Sequence, residues 1–157
     1  MKAQIGIKEK HISEEAAVLC AFLADEFLLS LKTKNAHWNV EGANFYSQHH
    51  FFEEQYNQLD ELIDELAEYI RSLGHYAPAT MKAFLQLARL SEQRDQNNKS
   101  IDFIKDLLAD HESMIINLRE NINPFDDQLH DAGTSDFIIY MMRKHTKMAW
   151  TLRAHLH

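Results

Sequence analysis

FYSQHHFFEEQYNQLDELIDELAEYIRSLG, Phe45 to Gly74, is the stretch whose reading decides the fold. Within it Phe45, His49, Phe52, Tyr56, Leu59, Ile63, Leu66, Ile70 and Leu73 recur at steps of four and three without a break. Side chains so spaced stack on one face of an α-helix, so this is the seam of a long helix packed against other helices. Gly42, Gly74, Pro78, Pro124 and Gly133 all fall outside the periodic segments, as punctuation does between helices.

Working outward, a preceding segment from roughly Ser13 to Asn39 sets Ala16, Leu19, Cys20, Leu23, Phe27 and Leu31 on one face. Ser13 is its expected N-cap, ahead of Glu14 and Glu15. A third periodic segment, about Gln96 to Asn121, carries Ile104, Leu107, Leu108, His111, Ile115, Leu118 and Ile122. The fourth starts from Thr134 as N-cap and runs through Phe137, Met141, Met148 and Leu152. Between the second and third lies a long connection, Gly74 to Asp95, whose middle "ATMKAFLQLARL" reads as a short extra helix. No strand alternation or internal repeat competes. Two short links and one long crossover describe an all-α, ferritin-like four-helix bundle, with the short helix in the crossover between helices two and three. The whole chain, residues 1–157, is read as one such domain, with residues 1–10 as a short N-terminal arm.

A hydrophobic content of 45% with 25% charged residues is that of a soluble globular protein. The longest apolar run, "AAVLCAFLA", stops at Asp25, far short of a membrane span. The opening "MKAQIGIKEK" has no apolar h-region and Cys20 has no second cysteine to pair with, which together point to the cytoplasm. A net charge of −8 repels phosphate backbones at long range and suits the gathering of cations.

With the second helix's seam set at zero, His49 lies at about 60°, Asp60 at about 80°, Glu53 at about 100°, Asp64 at about 120° and Glu68 at about 160°. This row flanks the core. A di-iron centre inside a bundle takes Glu-x-x-His from two helices, and that motif is absent from the sequence. His49 with Glu53, and Asp64 with Glu68, are each pairs four residues apart, able to hold half a metal shell. The half-shells are separated by roughly 22 Å along the axis, beyond the reach of any side chain. One chain cannot close them around one ion, whereas a second copy lying antiparallel across a two-fold axis brings one chain's His49 and Glu53 to the other's Asp64 and Glu68. The bland alternative is a solvated acidic face with intrahelical pairing. His111 and His145 fit the core, and His50, His75, His130, His155 and His157 have no matching carboxylate geometry in the sequence.

The motif "AHWNVEGANF", with His49 twelve residues after His37, Asp64 twenty-seven after it and Glu68 thirty-one after it, resembles the Dps-type mini-ferritins. The likeness extends through "HDAGTSDF" to the last helix, "KHTKMAWTLRAHL". It implies a hollow dodecamer that oxidises ferrous iron, preferentially with hydrogen peroxide, at sites between two-fold related subunits, and stores ferric mineral inside. On that likeness His37 and His49 are ligands from one chain, and Asp64 and Glu68 are ligands from its partner. Glu53 stands where the family usually has an aspartate. Trp38 corresponds to the family's aromatic beside the site, or else packs at a dimer interface. Such a donor set suits iron and also admits zinc or manganese.

"FDDQLHDAGTSDF" resembles the segment lining the family's three-fold pores, which makes Asp127, Asp131 and Asp136 candidates for an iron path. Read without the family, Asp131 is a turn residue and Asp136 supports a helix N-terminus. DNA compaction is the alternative function. DNA-binding members use basic tails, whereas here Lys2, Lys8 and Lys10 stand against Glu9, Glu14 and Glu15, and the C-terminus adds only Arg153.

Overall fold

The computed structural model describes residues 3–93 and 98–156. Lys2, Asp95, the expected start of the third long helix at Gln96, and His157 lie outside the described residues. Among the described residues five α-helices follow one another: α1 Glu9–Asn39, α2 Phe45–Ser72, α3 Met81–Leu87, α4 Ser100–Asn123 and α5 Ala132–Ala154.

The short link after α1 turns the chain back, so α1 and α2 form one antiparallel hairpin. Gly74, at φ +90°, ends α2: the Gly74 N–H bonds to the Arg71 carbonyl and the His75 N–H to the Ile70 carbonyl. This left-handed stop suits glycine, which has no Cβ to clash. The crossover then climbs the length of the bundle, because α4 begins beside Glu41, whose N–H bonds to the Asn98 carbonyl. It is fastened to α1 on the way. Phe84 of α3 stacks on Phe27 at 4.3 Å, the buried Asp25 accepts the Arg89 and Leu90 N–H groups and the Arg89 guanidinium, and Lys32 reaches the Ser91 carbonyl. Lys32 also pairs with Asp110 of α4. Hence α1 is packed on several sides, and it buries Glu15, Asp25, Glu26, Ser30, Thr33 and His37 along with its leucines and phenylalanines.

Several boundaries differ from the sequence reading. Ser13 is not the cap of α1; its hydroxyl donates to the Glu9 carbonyl one turn back, and the helix starts after an extended Lys8, so that Ile12 is buried. Glu15, placed just after the expected Ser13 cap, is fully buried. Thr134 does not cap α5 either. Asp131 does, accepting the Gly133 and Thr134 N–H groups at 2.9 and 3.0 Å, which places Gly133 inside the first turn. Pro124 opens a single π-type turn, Pro124–Gln128, that continues from α4.

The seam of α2 is also rotated. Its buried side chains are Gln48, Phe52, Gln55, Leu59, Leu62, Leu66 and Ile70, while Phe45, His49, Tyr56 and Ile63 form a second line on the flank. Only the first line faces the interior of this chain. Phe45 remains 46% exposed, an apolar edge that its own bundle covers only in part.

Candidate metal centre

Two histidines close over the α1–α2 turn. The Nδ1 of His37 lies 2.8 Å from the His49 carbonyl and the Nδ1 of His49 lies 2.8 Å from the His37 carbonyl, with the rings stacked at 3.7 Å. A carbonyl only accepts, so each Nδ1 carries the hydrogen and each neutral ring keeps its lone pair on Nε2. The His37 carbonyl belongs to the last turn of α1, where helix carbonyls lack partners, and His49 supplies one. This reciprocal lock fixes both tautomers in the form a metal ion needs, the task that carboxylates or carbonyls perform behind liganding histidines.

Around the pair, Tyr56 meets the His37 ring edge-on at 5.3 Å. Burial, then the Glu53 and Asp60 carboxylates, push the Tyr56 hydroxyl up from its usual range, so it stays protonated. The acids of the row are not equivalent. Asp60 is held by Lys34 at 2.8 Å and by Ser30 at 2.6 Å, a structural tie between α1 and α2. Glu53 lies 3.2 Å from the Nδ1 of His50, a carboxylate partner for His50 that the sequence reading did not give it. Asp64 and Glu68 are exposed and, among the described residues, enter no hydrogen bond or ion pair. Trp38 is 64% exposed beside the lock. Within the described residues of one chain, no three His, Cys, Asp or Glu groups converge as a metal shell. The locked His37–His49 pair thus lies near the start of α2, and the unpaired Asp64 and Glu68 lie towards its end.

The Ferritin family, described as the ferritin-like domain, matches residues 16–157. A DNA protection during starvation (Dps) protein of Helicobacter pylori is 32% identical over 133 residues, 85% of this chain and 92% of that protein. This chain belongs to the ferritin-like family, among its Dps proteins. A low temperature-induced protein of Nostoc is 39% identical over 98% of this chain and 86% of its own length. In three dimensions the Dps protein of Vibrio cholerae superposes with a TM-score of 0.92 at 27% identity, over 99% of this chain and 97% of that one. It is described as a member of a broad superfamily of ferritin-like diiron-carboxylate proteins. Mycobacterium smegmatis Dps matches with a TM-score of 0.92 at 26% identity, over 100% of this chain and 94% of that one.

At the opposite end of this Dps chain from the histidine lock, the acids after α4 divide. Asp127 and Asp136 are exposed, but Asp131 is buried, its Oδ1 capping α5 and its Oδ2 accepting the Thr134 hydroxyl at 2.6 Å. The Thr134 hydroxyl also lies 3.0 Å from that of Tyr69. Burial, reinforced by the adjacent Asp131 carboxylate, raises Glu15 to about 8, so it is protonated at neutral pH. In mid-bundle the Nε2 of His145 lies 2.6 Å from Glu26 and its Nδ1 lies 2.9 Å from the Nδ1 of His111, all three residues being fully buried. Burial, and then the neighbouring His145, hold His111 well below the usual imidazole range. This linear chain ties α1, α5 and α4 together. The sequence reading placed both histidines in the core without identifying Glu26 as their partner.

No helix of the described residues is long and apolar enough to cross a membrane. Among the described residues Lys10 pairs with Glu14 at 3.6 Å and Arg153 with Glu112 at 2.6 Å.

Proposed function

We propose that this protein is a cytoplasmic iron-detoxifying and iron-storing mini-ferritin whose oxidation sites are shared between two-fold related chains of a hollow dodecamer. The observation that carries the proposal is the reciprocal lock of His37 and His49, which reserves both Nε2 atoms as ligands. The complementary half is Asp64 and Glu68, without hydrogen-bond or ion-pair partners among the described residues and roughly 22 to 28 Å from His49 along the α2 axis. An antiparallel partner brings the halves together, and the partly exposed line of Phe45, Tyr56 and Ile63 supplies apolar area for that contact. Glu53 adds a carboxylate on the histidine side, and Trp38 stands beside it as an aromatic that can give up an electron when an oxidising equivalent escapes.

Ferrous ions are the substrate. Two of them each lose one electron, one hydrogen peroxide molecule takes both, its O–O bond breaks, and two hydroxide ions and two ferric ions result. The chain binds ferrous ion through neutral imidazole and carboxylate. Zinc or manganese fits the same donors and would compete. Asp127 and Asp136 are the exposed acids of the candidate pore, where a cluster of negative charge raises the local cation concentration. Asp131 shapes that segment as the cap of α5.

Anaerobic ferrous loading followed by hydrogen peroxide or by oxygen, read by absorbance, tests the chemistry. Fast oxidation by peroxide in a particle of about 220 kDa, twelve copies of an 18.4 kDa chain, is the expected result. A stable monomer or dimer in light scattering, or iron oxidised no faster than in buffer, would refute it. DNA protection, which the Helicobacter relative's name carries, is the second reading. Strong gel retardation of duplex DNA at physiological salt would move it to the front.

A further inference from the structure

The face where α2 meets α5, away from the histidine lock, holds an open cavity of about 290 Å³ lined by Gln58, Tyr140, Arg143, Lys144 and Lys147. Three of its five lining residues are cations and none is a carboxylate. In a chain of net charge −8 this is an uneven distribution. Among the described residues Arg143, Lys144 and Lys147 make no ion pair, and Lys144 touches only the Tyr140 ring, at 5.3 Å. Acids are available close by. Glu54, Glu61 and Glu65 are exposed on the same side of α2 as Gln58, and Glu65 meets the Tyr140 hydroxyl at 3.5 Å, yet none of them neutralises the three cations.

We propose that this cavity binds a tetrahedral oxyanion, inorganic phosphate. Arg143 offers a planar fork of N–H donors and Lys144 and Lys147 offer ammonium groups, all within about 6 Å of helix axis. That span suits one phosphate group with its several acceptor oxygens. It does not suit a duplex, whose affinity is built from many phosphate contacts along a track. Tyr140 gives the site an apolar wall, and Gln58, whose amide donates to the Glu54 carbonyl at 3.1 Å, completes the lining. The cavity adjoins the Glu54, Glu61 and Glu65 acids, so bound phosphate lies next to carboxylates that attract ferric ions. On the storage function proposed above, the site would supply the counter-anion of the mineral.

The binding is measured on iron-free assembled protein with inorganic phosphate, by titration calorimetry or phosphorus NMR, at an ionic strength fixed with chloride. Saturable binding that weakens at least about tenfold in Arg143→Gln/Lys147→Gln, and is unchanged in the surface control Lys82→Gln, is expected. Arg143→Lys should retain part of the affinity. No saturable binding, or binding unchanged in the double variant, would overturn the proposal. So would loss of assembly in the double variant, which would make these cations partners of another subunit, or duplex DNA bound with the same dependence on them. In loaded particles the phosphate-to-iron ratio of the deposit should fall in the double variant. If no ferrous iron is oxidised by the wild type, the storage function fails, while the phosphate isotherm is decided on its own data.

Discussion

Replacing Glu15 by Gln should make the protein more stable at neutral pH, and increasingly so as pH rises. Glu15 is fully buried, and its pKa is raised from 4.5 to about 8, first by burial and then by Asp131. Between those values the folded chain keeps a proton that the unfolded chain has released, so wild-type stability falls as pH rises from about 4.5 to about 8 and is level outside that window. Each pH unit within it is worth about 1.4 kcal/mol, which makes the cost about 3 kcal/mol at neutrality, levelling off at about 5 kcal/mol above about pH 8. Gln has nearly the shape of the protonated acid and does not titrate. Urea unfolding of both proteins at one fixed subunit concentration, needed because assembly is coupled to folding, gives the stability difference at each pH. That difference should climb by about 1.4 kcal/mol per unit between about pH 5 and about pH 8. Parallel curves over that range would refute the assignment, whatever constant offset separates them.

Glu26→Ala or His145→Ala should cost about 3–5 kcal/mol, because each leaves an uncompensated polar group in mid-bundle, whereas Glu26→Leu/His111→Leu/His145→Met together should recover most of the loss. Urea midpoints check this, and single variants within about 1 kcal/mol of wild type would show that the three groups are not coupled. Asp127→Asn/Asp136→Asn should slow iron uptake several-fold at low ionic strength and progressively less as salt is added, since a focused acidic ring acts mainly on rate. Unchanged stopped-flow uptake in an assembled particle would leave these residues with their local roles alone.

The helices were legible because their apolar spacing is a direct consequence of helical geometry, and Gly74 marked the end of α2 for the same local reason. Errors arose where a local pattern had two solutions. Ser13 and Thr134 both looked like caps, but Ile12 gained burial by an earlier start and Asp131 reached two N–H groups at once. The seam of α2 was read off by one flank because Phe45, Tyr56 and Ile63 continue the apolar rhythm outside the chain's own core. Glu15 and Glu26 were invisible as buried acids, since a one-face reading of α1 cannot show a helix covered on several sides. In the acid row, Asp60 looks the same as Asp64 on paper; only the approach of Lys34 and Ser30 from α1 separates the structural acid from the free ones. The positions of His37 and His49 were readable from the family's spacing, but their exchange of Nδ1 hydrogens for each other's carbonyls exists only once α1 and α2 are folded together.

The shared site is tested most directly by complementation. One version of the chain carries His37→Ala and His49→Ala, the other Asp64→Ala and Glu68→Ala. Each alone should assemble, by light scattering, and lose rapid peroxide-driven iron oxidation, because every site lacks half its ligands. Co-assembled in equal amounts with random pairing, half of the dimers are mixed and each mixed dimer has one complete site of two, so about a quarter of wild-type activity should return. An assembled mixture with no recovered activity would contradict the account, placing the oxidation sites within single chains or elsewhere on the particle.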